Sequence, residues 1–147
     1  MIKIRRIVCP TDFSPTAARA VDYAAEMART FEAELILLHV IPEMNYPLRS
    51  FGMASSFPHL KTELQARANE ALQEVCKKSL AGVTYRTELR DGEAHSQVLE
   101  CAKATQADLI VIGTHGHTGI MHAFLGSTAE KIVRLATCPV LTVRTPS

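Results

Sequence analysis

Apolar segments of strand length alternate with longer segments of helical periodicity along this chain. The strand-like segments cover residues 4–9, 34–41, 83–89, 109–112 and 140–143. The helix-like segments between them cover residues 15–31, 58–80, 93–105 and 128–135. Strict alternation of this kind is typical of a parallel sheet with helices on both faces and right-handed crossovers. The chain is therefore predicted to be a three-layer α/β protein with a five-stranded, parallel, doubly wound sheet.

The composition restricts the class of protein. The 147 residues, 47% of them hydrophobic and 21% charged, fit one globular domain spanning residues 1–147. The net charge of +1 and the lack of a basic run argue against nucleic-acid binding. No apolar run approaches the ~20 residues that cross a bilayer. The apolar stretch at the start, MIKIRRIVCP, is too short for a signal peptide. We expect no membrane partner.

The four cysteines form no CxxC pair and none of the close spacings of a zinc site. They lie at Cys9, Cys76, Cys101 and Cys138. Cys9 and Cys138 stand in or beside apolar strand patterns, and Cys101 lies on the apolar side of a helix pattern. This distribution predicts reduced, mostly buried thiols in a cytoplasmic protein.

The connection between the second strand and the helix that follows it is long. Residues 42–57 contain two prolines, one glycine and several serines, without a hydrophobic period. This composition predicts a loop. Because the loop follows the second strand, it is a candidate lid over a site at the carboxyl edge of the sheet.

Four of the seven glycines fall between residues 109 and 130, where the fourth strand leads into the last helix: Gly113, Gly116, Gly119 and Gly126. Glycine lets a backbone approach a ligand closely, so that several amide groups converge on one point. The N-terminus of the following helix adds unpaired N–H groups and the positive end of a dipole. The segment therefore predicts a phosphate site, as in a nucleotide-binding protein.

The end of the first strand supplies a second part of this site. Pro10, Thr11 and Asp12 are a polar, turn-forming stretch directly after that strand. In a doubly wound sheet, the first and fourth strands are neighbours at the point where strand order reverses, and ligands bind in that crevice. Asp12 also fits a second role, because aspartate before Ser14 and Pro15 often begins a turn. Both roles stay open at this point.

The glycine spacing identifies a family resemblance. Gly113-x2-Gly116-x9-Gly126-Ser127 matches neither a P-loop nor a dinucleotide fingerprint. It resembles the signature of the ATP-binding branch of the universal stress protein family. The likeness covers the whole chain, through the opening IVCPTDFSPTAARAVDYA, the LHVI of the second strand, the DLIVIGTHG of the fourth and the closing CPVLTVR.

The resemblance implies an adenine nucleotide alpha hydrolase-like fold with strand order 3-2-1-4-5. It also implies ATP as ligand, together with Mg²⁺. The adenine and ribose would lie along the strand ends, and the last helix would receive the phosphates. The binding residues it implies are Pro10, Thr11, Asp12, Val40, Ile112, Gly113, His115, Gly116, Gly126, Ser127 and Thr128.

The same resemblance implies a homodimer and a regulatory role in the stress response. Dimerisation would use the last strand, between Val140 and Arg144, whose apolar content makes a bare sheet edge prone to pairing. Asp12 is the only acid in the predicted crevice. We therefore predict no efficient catalyst and no assigned catalytic residue, with at most slow ATP hydrolysis or autophosphorylation.

Two alternative functions stay open. The fold would also serve a nucleotide-free interaction module, or an ATP-consuming enzyme of nucleotidyl or phosphoryl transfer. For the enzyme, Thr114 to His117 reads TxGH, but this pattern follows the fourth strand instead of the first.

Ser127 and Glu130 fit a capping box that needs no nucleotide. His115, His117 and His122 lack a carboxylate or cysteine at a recognised metal-ligand spacing, so no metal ligand is predicted.

Overall fold

The computed structural model describes residues 1–43, 57–114 and 126–146. The elements are β1 Arg6–Pro10, α1 Pro15–Phe31, β2 Glu34–Ile41, α2 Phe57–Ser79, β3 Tyr85–Asp91, α3 Ala94–Ala104, β4 Leu109–Gly113, α4 Ser127–Leu135 and β5 Val140–Val143. They follow the predicted alternation. Most of the loop predicted over 42–57, with its candidate lid, lies outside the described residues.

All five strands are parallel, and their order in the sheet is β3-β2-β1-β4-β5. The predicted fold class and strand order are therefore confirmed. Val8 of β1 lies between Ile36 of β2 and Ile110 of β4. The chain leaves β1 toward one edge of the sheet and returns through β4 toward the other, so a crevice opens at the carboxyl ends of these two strands.

Two apolar layers cover the sheet because every central strand alternates its side chains between the two faces. One layer joins Ile7, Leu35, Leu37 and Val111 to the apolar faces of α1 and α2. The other layer joins Val8, Ile36, Leu38, Ile110 and Ile112 to α3 and α4. None of the described helices combines the length and the hydropathy required to cross a membrane.

Helix α1 begins as the sequence predicts. The Ser14 hydroxyl oxygen accepts a hydrogen bond from the Ala17 N–H at 3.2 Å, and Pro15 occupies the first turn. Its buried face consists mainly of alanines, which lets the helix axis approach the sheet closely. The start of α1 is consequently held close to the carboxyl end of β1.

Three strands differ from prediction in their bounds, and β4 differs only by ending one residue later, at Gly113. The sequence predicts strands at 4–9 and 83–89, whereas β1 and β3 begin and end later, at Arg6–Pro10 and Tyr85–Asp91. Ile4 and Val83 are partly buried and pack against the α1–α2 side of the core. They therefore carry the apolar pattern of a strand without belonging to the paired part of the sheet.

Candidate functional site

A cavity of about 300 Å³ opens at the carboxyl ends of β1 and β4. The structure brings into its wall the following predicted residues: Pro10, Thr11, Asp12, Val40, Ile112, Gly113, Gly126, Ser127 and Thr128. The other two predicted residues, His115 and Gly116, lie outside the described residues. Residues more than a hundred positions apart thus line one space, because β1 and β4 are neighbours.

The cavity is also lined by residues that the sequence did not indicate as binding residues: Ser14, Ala17, His39, Ala94, Val98, Thr114 and Ala129. Ala17, Ala94 and Ala129 lie in the first turns of α1, α3 and α4, and their small side chains leave the space open. Their position just after the ends of strands was the available signal. His39 of β2 is half-buried beside the cavity.

The turn after β1 is held by its own polar groups. The Phe13 N–H donates to Thr11 Oγ1 at 3.1 Å, and the Ser14 N–H donates to Asp12 Oδ1 at 3.0 Å. Phe13 has a left-handed backbone, with φ 65°. Asp12 therefore does take the turn-forming role that the sequence left open. Its role toward a ligand stays a prediction.

Gly113 ends β4 against the first turn of α1. A Cβ atom at this position would lie 2.9 Å from Thr16 Cγ2, 3.0 Å from its carbonyl oxygen and 3.1 Å from its carbonyl carbon. The Thr16 hydroxyl is in turn 2.6 Å from the Thr145 hydroxyl. Glycine at 113 is thus required for α1 to pack closely on β4, whatever the cavity holds.

Helix α4 does not begin with the predicted capping box, so that prediction is wrong. Gly126 is the N-cap residue, and none of the described side chains caps the helix. Ser127 is already the first helical residue, while Glu130 pairs with Arg134 at 3.8 Å. The Gly126 N–H donates to the Thr114 carbonyl oxygen at 2.5 Å, which holds the start of α4 at the end of β4. The positive end of α4 therefore faces the cavity without a cap from any side chain that the structure describes.

Comparison with known proteins decides the family. A model of the universal stress protein family matches residues 3–144. The chain belongs to this family. It is 35% identical over 143 residues to universal stress protein MJ0531 of Methanocaldococcus jannaschii, covering 97% of this chain and 83% of that protein. It is 35% identical over 142 residues to universal stress protein A homolog 1 of Coxiella burnetii, covering 95% of each.

Solved structures of universal stress proteins share the fold. The structure of MJ0577 from Methanocaldococcus jannaschii superimposes with a TM-score of 0.85 at 29% identity, covering 99% of each chain. A universal stress protein in complex with cAMP superimposes with a TM-score of 0.70 at 25% identity, covering 98% of this chain and 99% of that one. The fold comparison therefore extends over almost the entire length of both chains.

The charged groups around the cavity of this universal stress protein are few. Among the described lining residues, Asp12 is the only acid. No group of three or more histidine, cysteine or acidic side chains suited to a metal ion occurs in the parts of the chain that the structure describes. The oxygen atoms that the described lining offers include those of Asp12 and the hydroxyls of Ser127 and Thr128, which are hard donors of the kind that a cation such as Mg²⁺ prefers.

The cysteines of this universal stress protein are unpaired, and all but the half-buried Cys138 are buried, as predicted. Burial raises the pKa of the Cys9 thiol to about 12. Burial, followed by the Glu88 carboxylate 3.4 Å away, raises the pKa of the Cys101 thiol to about 12. Both thiols are therefore protonated near neutral pH, a state in which a thiol is a poor nucleophile.

Proposed function

We propose that this universal stress protein binds ATP in the cavity between β1 and β4 and acts as a nucleotide-responsive regulator in the stress response. The observation that carries the proposal is the meeting of two features at one space. These are the polar turn after β1 and the start of α4, which none of the described side chains caps. The related universal stress protein that was solved with cAMP supports an adenine nucleotide as the ligand class.

The lining combines the apolar and polar groups that an adenine nucleotide requires. Val40, Val98 and Ile112 are apolar and suit a base, while the turn at Asp12 offers polar groups to it or to the ribose. Gly126, Ser127 and Thr128, at the start of α4, also line the cavity. N–H groups at a helix start and the dipole of the helix together favour bound phosphate. The proposal assigns the base to the apolar residues and the turn at Asp12, and the phosphates to the start of α4.

Mg²⁺ is part of the proposal as the companion of ATP. Mg²⁺ commonly keeps several water ligands and is held through substrate phosphates and one or two carboxylates. Asp12 and the hydroxyls of Ser127 and Thr128 would provide the protein oxygens. This donor set is small, so the phosphates would contribute most of the affinity for the cation.

The proposed role is regulation by occupancy, with at most slow hydrolysis or autophosphorylation. A fast phosphoryl transfer needs a group that orients the nucleophile and charges that stabilise the transferred phosphoryl group. Asp12 is the one acid that the described lining residues offer. We further propose one domain over residues 1–147 and a cytoplasmic location, which the four unpaired thiols support.

Calorimetry with the purified chain tests ATP binding. We expect one molecule of ATP per chain in the presence of Mg²⁺, with turnover too slow to match an efficient enzyme. Because a ligand that binds only the folded state stabilises it, ATP at 100 times its Kd should raise the free energy of unfolding by about 2.7 kcal/mol. If millimolar ATP produces no heat of binding and no stabilisation, this result would favour the nucleotide-free interaction module. Rapid turnover would favour the enzyme.

We also propose a two-fold homodimer through β5, which lies at an edge of the sheet as the sequence predicts. Val140, Leu141 and Thr142 are only partly buried in the single chain. An exposed edge strand with apolar residues is stabilised by pairing with a second copy. Light scattering should therefore give twice the 16.1 kDa mass of one chain.

Thr142→Pro provides the matched test of this dimer. The carbonyl oxygens of Pro139 and Val143 accept hydrogen bonds from backbone N–H groups of β4 and of the residue after β4, at 3.0 Å each. Since alternate residues of a strand face opposite neighbours, the Thr142 N–H points to the open edge. Proline there removes an outward donor and leaves the pairing with β4 in place. We expect Thr142→Pro to be monomeric and Thr142→Val to stay dimeric; a monomeric parent chain would contradict the proposal.

A further inference from the structure

His39 reaches from β2 to the end of β1. Its side chain is half-buried and lines the cavity, and its Nδ1 atom is 2.7 Å from the carbonyl oxygen of Thr11. A carbonyl oxygen only accepts hydrogen bonds, so Nδ1 carries a proton and donates it to Thr11. In the neutral ring, this contact selects the Nδ1–H tautomer.

The turn that His39 contacts contains a costly backbone conformation. Phe13 has φ 65°, and the left-handed region costs a residue with a side chain roughly 1–2 kcal/mol. Such a conformation persists when its surroundings hold it. Two of the bonds that hold it, from the Phe13 and Ser14 N–H groups, are internal to residues 11–14.

Strand β2 anchors this turn from outside at two consecutive residues. The Thr11 N–H donates to the Leu38 carbonyl oxygen at 2.8 Å, and His39 Nδ1 holds the carbonyl side of the same Thr11 residue. The imidazole also packs on the Phe13 ring, with a centroid distance of 4.5 Å and an interplanar angle of 37°. His39 thus contacts the residues on both sides of Asp12.

We propose that His39 is a positioning residue of the nucleotide site, which holds the turn carrying Asp12 by donating from Nδ1 to Thr11 and by packing against Phe13. The inference rests on the proposed ATP site, since the turn forms one wall of the same cavity. It assigns His39 no contact with the reacting atoms. Its effect on a nucleotide passes through the backbone of residues 11–13.

Two substitutions separate the hydrogen bond from the ring. His39→Phe keeps an aromatic ring and removes the donor, whereas His39→Asn keeps an N–H donor near the place of Nδ1 and removes the ring. Because one hydrogen bond contributes on the order of a tenfold change, we expect His39→Phe to weaken ATP binding about tenfold. His39→Asn should restore the affinity to within about threefold of the parent.

Calorimetry and NMR of the intact protein test the inference together. Val75→Ala, in α2 on the opposite side of the fold from α3 and α4, controls for a general loss of stability and should bind ATP like the parent. In the nucleotide-free parent, ¹⁵N-edited spectra should show the Nδ1–H tautomer of His39. The amide signals of residues 11–14 should shift more in His39→Phe than in His39→Asn.

The outcomes separate this inference from the proposed function. An Nε2–H tautomer, or a folded His39→Phe protein that binds ATP like the parent, would overturn the positioning role. If the parent chain does not bind ATP at all, the proposed function fails, and the tautomer and amide shifts still decide whether His39 holds the turn. A loss of affinity in His39→Asn together with full affinity in His39→Phe would show that the ring, and not the donor, matters, which also overturns the role of the hydrogen bond. Equal loss in both variants would show that a donor without the ring does not hold the turn, which contradicts the expected rescue by His39→Asn.

Discussion

Ala94→Trp is expected to weaken ATP binding at least about 100-fold while the protein stays folded. Ala94 is the first residue of α3, is exposed, and lines the cavity between β1 and β4. An indole group there would occupy much of a space of about 300 Å³. Exposed substitutions away from caps and core usually change stability by about 0.5 kcal/mol or less. Calorimetry measures the affinity, and thermal unfolding measures the fold.

Ala104→Trp is the matched control for this experiment. Ala104 is the last residue of the same helix and is also exposed. It lies beside Arg6 and Arg86 at the amino ends of the strands, away from the cavity. The two variants carry the same side chain on the same helix and differ in the end at which it stands. Ala104→Trp should bind ATP like the parent. A folded Ala94→Trp protein with unchanged affinity would place the nucleotide elsewhere.

The sequence predicted the architecture well because the pattern and the burial coincide in the central strands. The bounds predicted for β2, 34–41, match the structure, since both faces of this strand are covered and its apolar run is continuous. At β1 and β3 the pattern and the pairing separate. Ile4 and Val83 are apolar because they pack on the core, although neither belongs to a strand. The hydrophobic periodicity of a sequence indicates which residues are buried, and strand pairing has to be inferred from that burial.

The candidate site was predicted less evenly. The strand ends and the glycine spacing indicated Asp12, Gly113 and Gly126, because turns and close approaches require particular residue types. Alanines such as Ala94 have no such signature in their residue type, and their position just after the end of a strand was the one signal that they border the cavity. The capping-box prediction failed for a related reason. A serine three residues before a glutamate has the same spacing whether the serine is the N-cap residue or the first residue of the helix. In this structure Gly126 is the N-cap residue.

Gly113→Ala is expected to lower the free energy of unfolding by about 2–3 kcal/mol, the upper part of the range for overpacking. The added methyl group would meet the backbone of Thr16 at 3.0–3.1 Å. Backbone at a helix start cannot turn aside as a flexible side chain can. Thr16 is also held through its hydroxyl, 2.6 Å from that of Thr145, and α1 is held by the Ser14 cap. Chemical denaturation measures the loss.

Gly82→Ala provides the control for the glycine itself. Gly82 has φ +76°, and none of the described residues places an atom within 4 Å of an added Cβ, so alanine there meets backbone strain and no such neighbour. Its cost should stay near 1 kcal/mol, without an effect on ATP binding. A loss at Gly113→Ala no larger than a few tenths of a kcal/mol would mean that α1 moves aside freely. Since Ala17 of α1 and the N-cap residue Ser14 border the cavity, weaker ATP binding in Gly113→Ala would report a displaced α1 as well as any contact at residue 113.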